Sequence, residues 1–247
     1  MTGRRRDLDI SWARRRGACA LREAILVGVL APLMDLYTLR RVSGTEHLDA
    51  VAPPVIFVAT HASHMDTPAI LRALPPRWRR RTAVAAAADY FYRRRRVAHA
   101  VSLLFSTVPL DRSGGRESRA TTHLAELMDD RWSVLLYAEG TRSRDGRVGP
   151  LHSGAAMLAA EHGVALVPVF VGGTGATMPP GRRWMSRTGG GLVGRRRRIE
   201  IRFGPAIRAQ EGEHRREVME RVREFFAECG AVTTPDERLA AVAATRG

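Results

Sequence analysis

A chain of 247 residues with 45% apolar side chains is long enough to bury one full core, which excludes wholesale disorder. Its formal net charge of +15 is carried by forty Arg and no Lys. The lack of lysine excludes Schiff-base chemistry and the Walker-A phosphate loop, while guanidinium, which grips phosphate through paired hydrogen bonds, favours nucleic acid, phospholipid headgroups or phosphorylated metabolites as partners.

Arginine runs at 4–6 and 14–16 lead into residues 24–34, an uncharged stretch bounded by Arg22, Glu23 and Asp35. It falls short of the ~20 residues that a spanning helix needs. Asp35 also stands where a leader's small-residue cleavage site belongs, so the segment reads as a helix packed on the core or resting in a membrane interface. Residues 1–40 are therefore expected to form a basic, apolar helical segment before a main domain over 41–229 and a tail over 230–247. Cys19 and Cys229 show no zinc spacing and point to a reducing compartment.

Short apolar runs predict strands near 55–60, 83–87, 106–110, 133–138, 164–170 and 198–203. A first helix is expected to start at Thr67 and Pro68 and to stop at Pro75 and Pro76. Further helices are expected over 117–131, 153–162 and 213–228, with a surface loop over 179–194. This alternation predicts an α/β fold, a mostly parallel (mixed) sheet flanked by helices. Pro168 inside VALVPVFV marks an edge strand or a bend.

Chemistry is expected where the strands end. The first strand runs into THASHMDTP, which places four residues between His61 and Asp66. A base and its orienting carboxylate thus arrive together on a loop and helix entrance. The dinuclear zinc pattern T-H-x-H-x-D-H fits poorly, because one residue is inserted and the last His is Thr67, so no metal is expected. No G-x-S-x-G elbow is present, which disfavours a covalent serine route. GGTGAT at 172–177 lacks the third glycine of a dinucleotide loop and reads as a turn. Two more polar clusters follow strands: Asp111 and Arg112, then Glu139, Gly140, Thr141, Arg142 and Ser143. Gly140 permits close backbone approach, and Arg112 with Arg142 can hold a phosphate.

The order H-x4-D, an Arg-ended strand, E-G-T-R-S and a V-P-V strand resembles the phospholipid and glycerol acyltransferase family over about residues 40–210. The resemblance implies the glycerol-3-phosphate acyltransferase-like fold, His61 as catalytic base, Asp66 as its partner, and Arg112, Glu139, Gly140, Thr141 and Arg142 as the acceptor's phosphate site. It implies no cofactor, with acyl-CoA or acyl carrier protein as donor and a lysophospholipid, first of all 1-acylglycerol 3-phosphate, as acceptor. Another lysolipid or glycerol 3-phosphate is the alternative acceptor. The chain departs from the family pattern at Thr60, at Ser106 or Thr107, at Ala138 and at His152, where relatives carry Asn, Gly, Pro and a permanent cation, and these departures bear on the acceptor.

A lipid substrate also gives the basic and apolar segments a use. Residues 24–34 and 89–105 are expected either at an anionic membrane surface, on its cytoplasmic face, or as helices buried on the core. A basic nucleic-acid-binding protein is the rival reading; scattered arginines and only four Trp and four Tyr disfavour it.

Overall fold

The computed structural model describes residues 10–87, 95–110, 119–143, 145–189 and 194–233. Seven strands, β1 Thr38–Ser43, β2 Val55–Ala59, β3 Thr82–Ala87, β4 Thr107–Leu110, β5 Ser133–Tyr137, β6 Ala165–Gly172 and β7 Arg197–Phe203, form one sheet in the order β1-β7-β6-β2-β5-β3-β4. Neighbours run parallel except for the antiparallel pair β6 and β7. The mixed α/β sheet is thus as expected, with one strand more than the apolar runs show. Strand β1 reads TLRRVS and buries only Thr38 fully. Its two arginines give it the charged character of a sheet edge rather than a hydrophobic run.

The central strands are covered on both faces and read as continuous apolar runs for that reason. In β2, Ile56 and Val58 face Leu124, Leu127, Val218, Val222 and Phe226, while Val55, Phe57 and Ala59 face Leu26, Met34, Ile70 and Trp78. The helices on the first face are Arg119–Asp129, Gly154–Glu161 and Arg215–Glu228; those on the second are Arg16–Tyr37, Asp66–Ala73 and Pro76–Arg79. We number Arg16–Tyr37 as α1, Asp66–Ala73 as α2, Pro76–Arg79 as α3 and Arg95–Phe105 as α4.

Two sequence expectations need correction. Pro168 lies in β6, an inner strand between β2 and β7. Its carbonyl accepts from the Gly204 N–H at 2.8 Å, so its missing donor also faces the β7 side. There the register slips by one residue between the Val169–Phe203 and Leu166–Ile207 pairs, and the bulge removes the need for that donor. Gly204 is required at this crossing, because a Cβ would lie 2.7 Å from the Pro168 ring and 2.8 Å from Phe225.

The second correction concerns α1. It is 22 residues long, continues on both sides of the 24–34 run, and is long and apolar enough to cross a membrane. Helicity extends past the charges because each has a partner. Glu23 pairs with Arg79 and Asp35 with Arg72, while Arg22, 4% exposed, donates to the Leu103 carbonyl in the last turn of α4 at 2.7 Å. One face of α1 buries Leu26, Ala31 and Met34; Leu21, Val27, Val29 and Leu36 remain exposed.

Candidate active site

Parallel pairing of β2 with β5, with Ala59 opposite Tyr137, sets the two following loops side by side at the carboxyl ends of central strands. His61 and Asp66 are brought together here. His61 Nδ1 lies 2.9 Å from Asp66 Oδ2, and that same oxygen accepts the backbone N–H groups of Ala62 and Ser63, each at 2.8 Å. An oxygen that already accepts two amides is an acceptor for the ring as well. Nδ1 therefore carries the proton and Nε2 the lone pair.

Asp66 is fully buried and opens α2. The helix begins one residue earlier than Thr67 and Pro68 predict, and Thr67 is not its cap. Its hydroxyl pairs instead with the Tyr137 hydroxyl at 2.7 Å. The Tyr137 ring stacks on the His61 imidazole, with centroids 3.9 Å apart and planes inclined by 19°. Sequence reasoning missed this contact, because Tyr137 ends an apolar strand and reads as core; the β2–β5 pairing alone would reveal it.

The EGTRS loop is tied to the His61 loop through the backbone. Glu139 accepts the His61 N–H at 3.0 Å through Oε1 and the Gly149 N–H at 3.1 Å through Oε2, and the Ser143 N–H donates to the His61 carbonyl at 2.7 Å. Glu139 thus faces amides and clamps the loops together. Burial pushes its carboxyl above the usual range, and these two hydrogen bonds only partly oppose that. Gly140 turns the chain at φ +68°, and a Cβ there would sit 3.3 Å from the His152 imidazole. His152, whose N–H donates to the Ala138 carbonyl at 2.8 Å, is therefore part of this cluster.

Thr141 is exposed and Arg142 half-buried beyond the turn. No hydrogen bond or ion pair with another described residue holds the Arg142 guanidinium. Arg112 lies outside the described residues, as does Asp111. GGTGAT forms more than a turn: Thr174–Thr177 is a short helix after β6, and a Cβ on Gly175 would lie 3.3 Å from Ala62. Ser63 is spent on structure, donating to the Met178 carbonyl at 2.7 Å. Among the described residues, no three His, Cys, Asp or Glu side chains are grouped to hold a metal ion.

His64 packs beside the dyad as a neutral imidazole. Burial, helped by the nearby Arg142 and His61 charges, lowers its pKa to about 4. Because the unfolded chain binds this proton near pH 6.5 and the native protein does not, the stability from neutral His64 is present above pH 6.5 and lost as pH falls toward 4. His64→Gln should therefore flatten the decline in thermal midpoint between pH 6.5 and 4 while neutral-pH turnover stays intact. An unchanged decline would contradict this assignment.

Residues 40–172 match the family model described as Acyltransferase. Chloroplastic 1-acyl-sn-glycerol-3-phosphate acyltransferases of Brassica napus and Arabidopsis thaliana are each 32% identical over 142 residues, which is 57% of this chain and 39% and 38% of theirs. A 1-acyl-sn-glycerol-3-phosphate acyltransferase of Chlamydomonas reinhardtii is 27% identical over 147 residues, or 59% of this chain and 42% of its own. The matched stretch is thus about two fifths of the curated relatives' length. The crystal structure of the 1-acyl-sn-glycerophosphate (LPA) acyltransferase PlsC of Thermotoga maritima shares the fold, with a TM-score of 0.57 at 21% identity over 90% of this chain and 84% of that one. With a dyad at the end of β2, an EGTRS loop locked to it and a family match over more than half its residues, the chain belongs to the acyltransferase family.

Proposed function

We propose that this protein transfers a fatty acyl group from a thioester donor, acyl-CoA or acyl carrier protein, to the free hydroxyl of 1-acylglycerol 3-phosphate, giving phosphatidic acid. The observation that carries the reading is the Asp66–His61 pair, which leaves Nε2 as the basic nitrogen at the mouth of two strand-end loops.

A thioester is already activated, so a direct attack needs only a base. Nε2 removes the hydroxyl proton as the new C–O bond forms, and Asp66 stabilises the imidazolium. The tetrahedral intermediate then expels the thiolate, which recovers the proton from Nε2. No acyl-enzyme forms and no cofactor takes part. Arg142 and Thr141, together with Arg112, are proposed to receive the acceptor's phosphate, since guanidinium suits that group. Glu139 and Gly140 shape the turn that presents Thr141 and Arg142.

The acceptor is tested by mass spectrometry after incubating the purified protein with acyl-CoA and lysophosphatidic acid, other lysophospholipids and glycerol 3-phosphate in turn. Lysophosphatidic acid should be consumed fastest. Faster conversion of an uncharged-headgroup lysolipid would shift the acceptor assignment, and His152 beside Gly140 is the residue that would account for it.

We further propose that the protein works on an anionic membrane surface, at its cytoplasmic face. The exposed side chains Leu21, Val27, Val29 and Leu36 of α1, with Leu39 and Trp184 nearby in the fold, supply apolar contact, and the arginines supply charge. Of the 89–105 segment, residues 95–105 form α4, with Ala98 and Ser102 buried and Val97 exposed; 89–94 lie outside the described residues. Vesicles containing anionic lipid should carry the protein to the top of a flotation gradient, and replacing Val27 and Val29 by Glu should release it. Equal recovery without lipid would refute surface docking.

A further inference from the structure

Three groups define the plane of a catalytic imidazole: whatever holds each ring nitrogen and whatever lies on its face. Asp66 holds Nδ1 of His61, which still leaves the ring free to turn about the axis of that hydrogen bond. Tyr137 closes this freedom. Its ring lies face to face with the imidazole at 3.9 Å, and its hydroxyl is held by Thr67 at 2.7 Å.

The chain places these contacts economically. Tyr137 ends β5 opposite Ala59 of β2, and His61 follows Ala59 by two residues, so both rings fall on the same side of the sheet. Thr67 is next to Asp66 in the first turn of α2. The phenol therefore bridges the element that carries the base and the element that carries its carboxylate. Burial pushes the Tyr137 hydroxyl well above its usual range, so the phenol stays neutral beside the imidazole.

We infer that Tyr137 and Thr67 form a positioning pair for the proposed acyl transfer, in which the stacked phenol sets the plane of the His61 ring and thereby aims the Nε2 lone pair at the acceptor hydroxyl. The inference rests on His61 being the base. A general base loses efficiency when its lone pair is misdirected, and a displacement near 1 Å costs about a hundredfold. The hydroxyl pair carries the smaller part, because a ring of the same shape still stacks without it. Tyr137→Leu should therefore lower kcat by about a hundredfold, and Tyr137→Phe or Thr67→Val by several-fold, with KM for donor and acceptor unchanged.

Two readouts separate positioning from a general loss of structure. The Phe and Val substitutions remove the two ends of one hydrogen bond, so the double variant should be no slower than the slower single one. In ¹⁵N NMR of the substrate-free protein, His61 should carry its proton on Nδ1 in the wild type and show mixed tautomers or exchange broadening in Tyr137→Leu. If Tyr137→Leu fails to fold, the Phe and Val variants still decide the matter through their cycle and spectra. Unaltered His61 resonances with unaltered kcat in the folded variants would overturn the inference. Loss of the proposed function reads differently: wild type would then show no transfer, or His61→Ala would retain it, whatever the Tyr137 spectra show.

Discussion

His61→Ala should lower acyl transfer by about 10²–10⁴-fold, to background within most assays, while the thermal transition stays near that of the wild type. That loss is about 3–5 kcal/mol of transition-state stabilisation. The fold should persist because the His61 side chain is partly exposed, at 16%, and its structural hydrogen bonds run through the backbone: its N–H to Glu139 and its carbonyl from Ser143. Alanine keeps both. Asp66 would lose one of three donors and retain the Ala62 and Ser63 amides. Retention of more than a few per cent of activity, measured as thiol release at saturating donor and acceptor, would remove His61 from the role of base.

Asp66→Asn tests a different part of the same pair. All three donors converge on Oδ2, whereas Oδ1 is buried without a hydrogen-bond partner. An asparagine can set its carbonyl oxygen in the Oδ2 position and continue to accept from the two amides and from Nδ1. The tautomer is then preserved and only the charge is lost. Opposite unit charges about 4 Å apart attract by roughly 4 kcal/mol at an effective dielectric constant near 20, so losing that attraction to the imidazolium should cost about 10²–10³ in kcat. The amide NH₂ takes the place of Oδ1 without an acceptor, which should also cost about 1–3 kcal/mol of stability. A kcat within a few-fold of wild type would show that the carboxylate's charge is not needed; an Nε2-protonated His61 in the variant would show that orientation rather than charge was lost.

The sheet was legible wherever burial on both faces makes a strand continuously apolar, as in VIFVA, SVLLY and ALVPVF. It was hidden at β1, whose arginines fit an exposed edge that composition alone does not distinguish from a loop. Pro168 misled for a comparable reason: a missing donor is tolerated inside a sheet when the partner strand bulges at that point, and the bulge lies in residues more than thirty positions away. Helix α1 exceeded its apolar run because Arg72 and Arg79, distant in sequence, neutralise its acids.

In the site, the spacing of His61 and Asp66 was readable because both groups sit on one short loop. The function of Glu139 was not. A carboxylate beside Gly, Thr and Arg reads as a ligand-facing group, yet it holds the amides of His61 and Gly149. Tyr137 and Thr67 were invisible in the same way, since their contact depends on strand pairing rather than on local pattern.

The proposed reaction is direct transfer of an acyl group to a lysophosphatidate hydroxyl with His61 as base. Its most direct test is intact-mass spectrometry of the enzyme, first with acyl-CoA alone and then after adding lysophosphatidic acid, with lipid products read from the same samples. Direct transfer predicts an unmodified protein throughout and phosphatidic acid only after the acceptor is added. A protein heavier by one acyl group before the acceptor is present, or no phosphatidic acid after it, would rule out direct transfer to this acceptor.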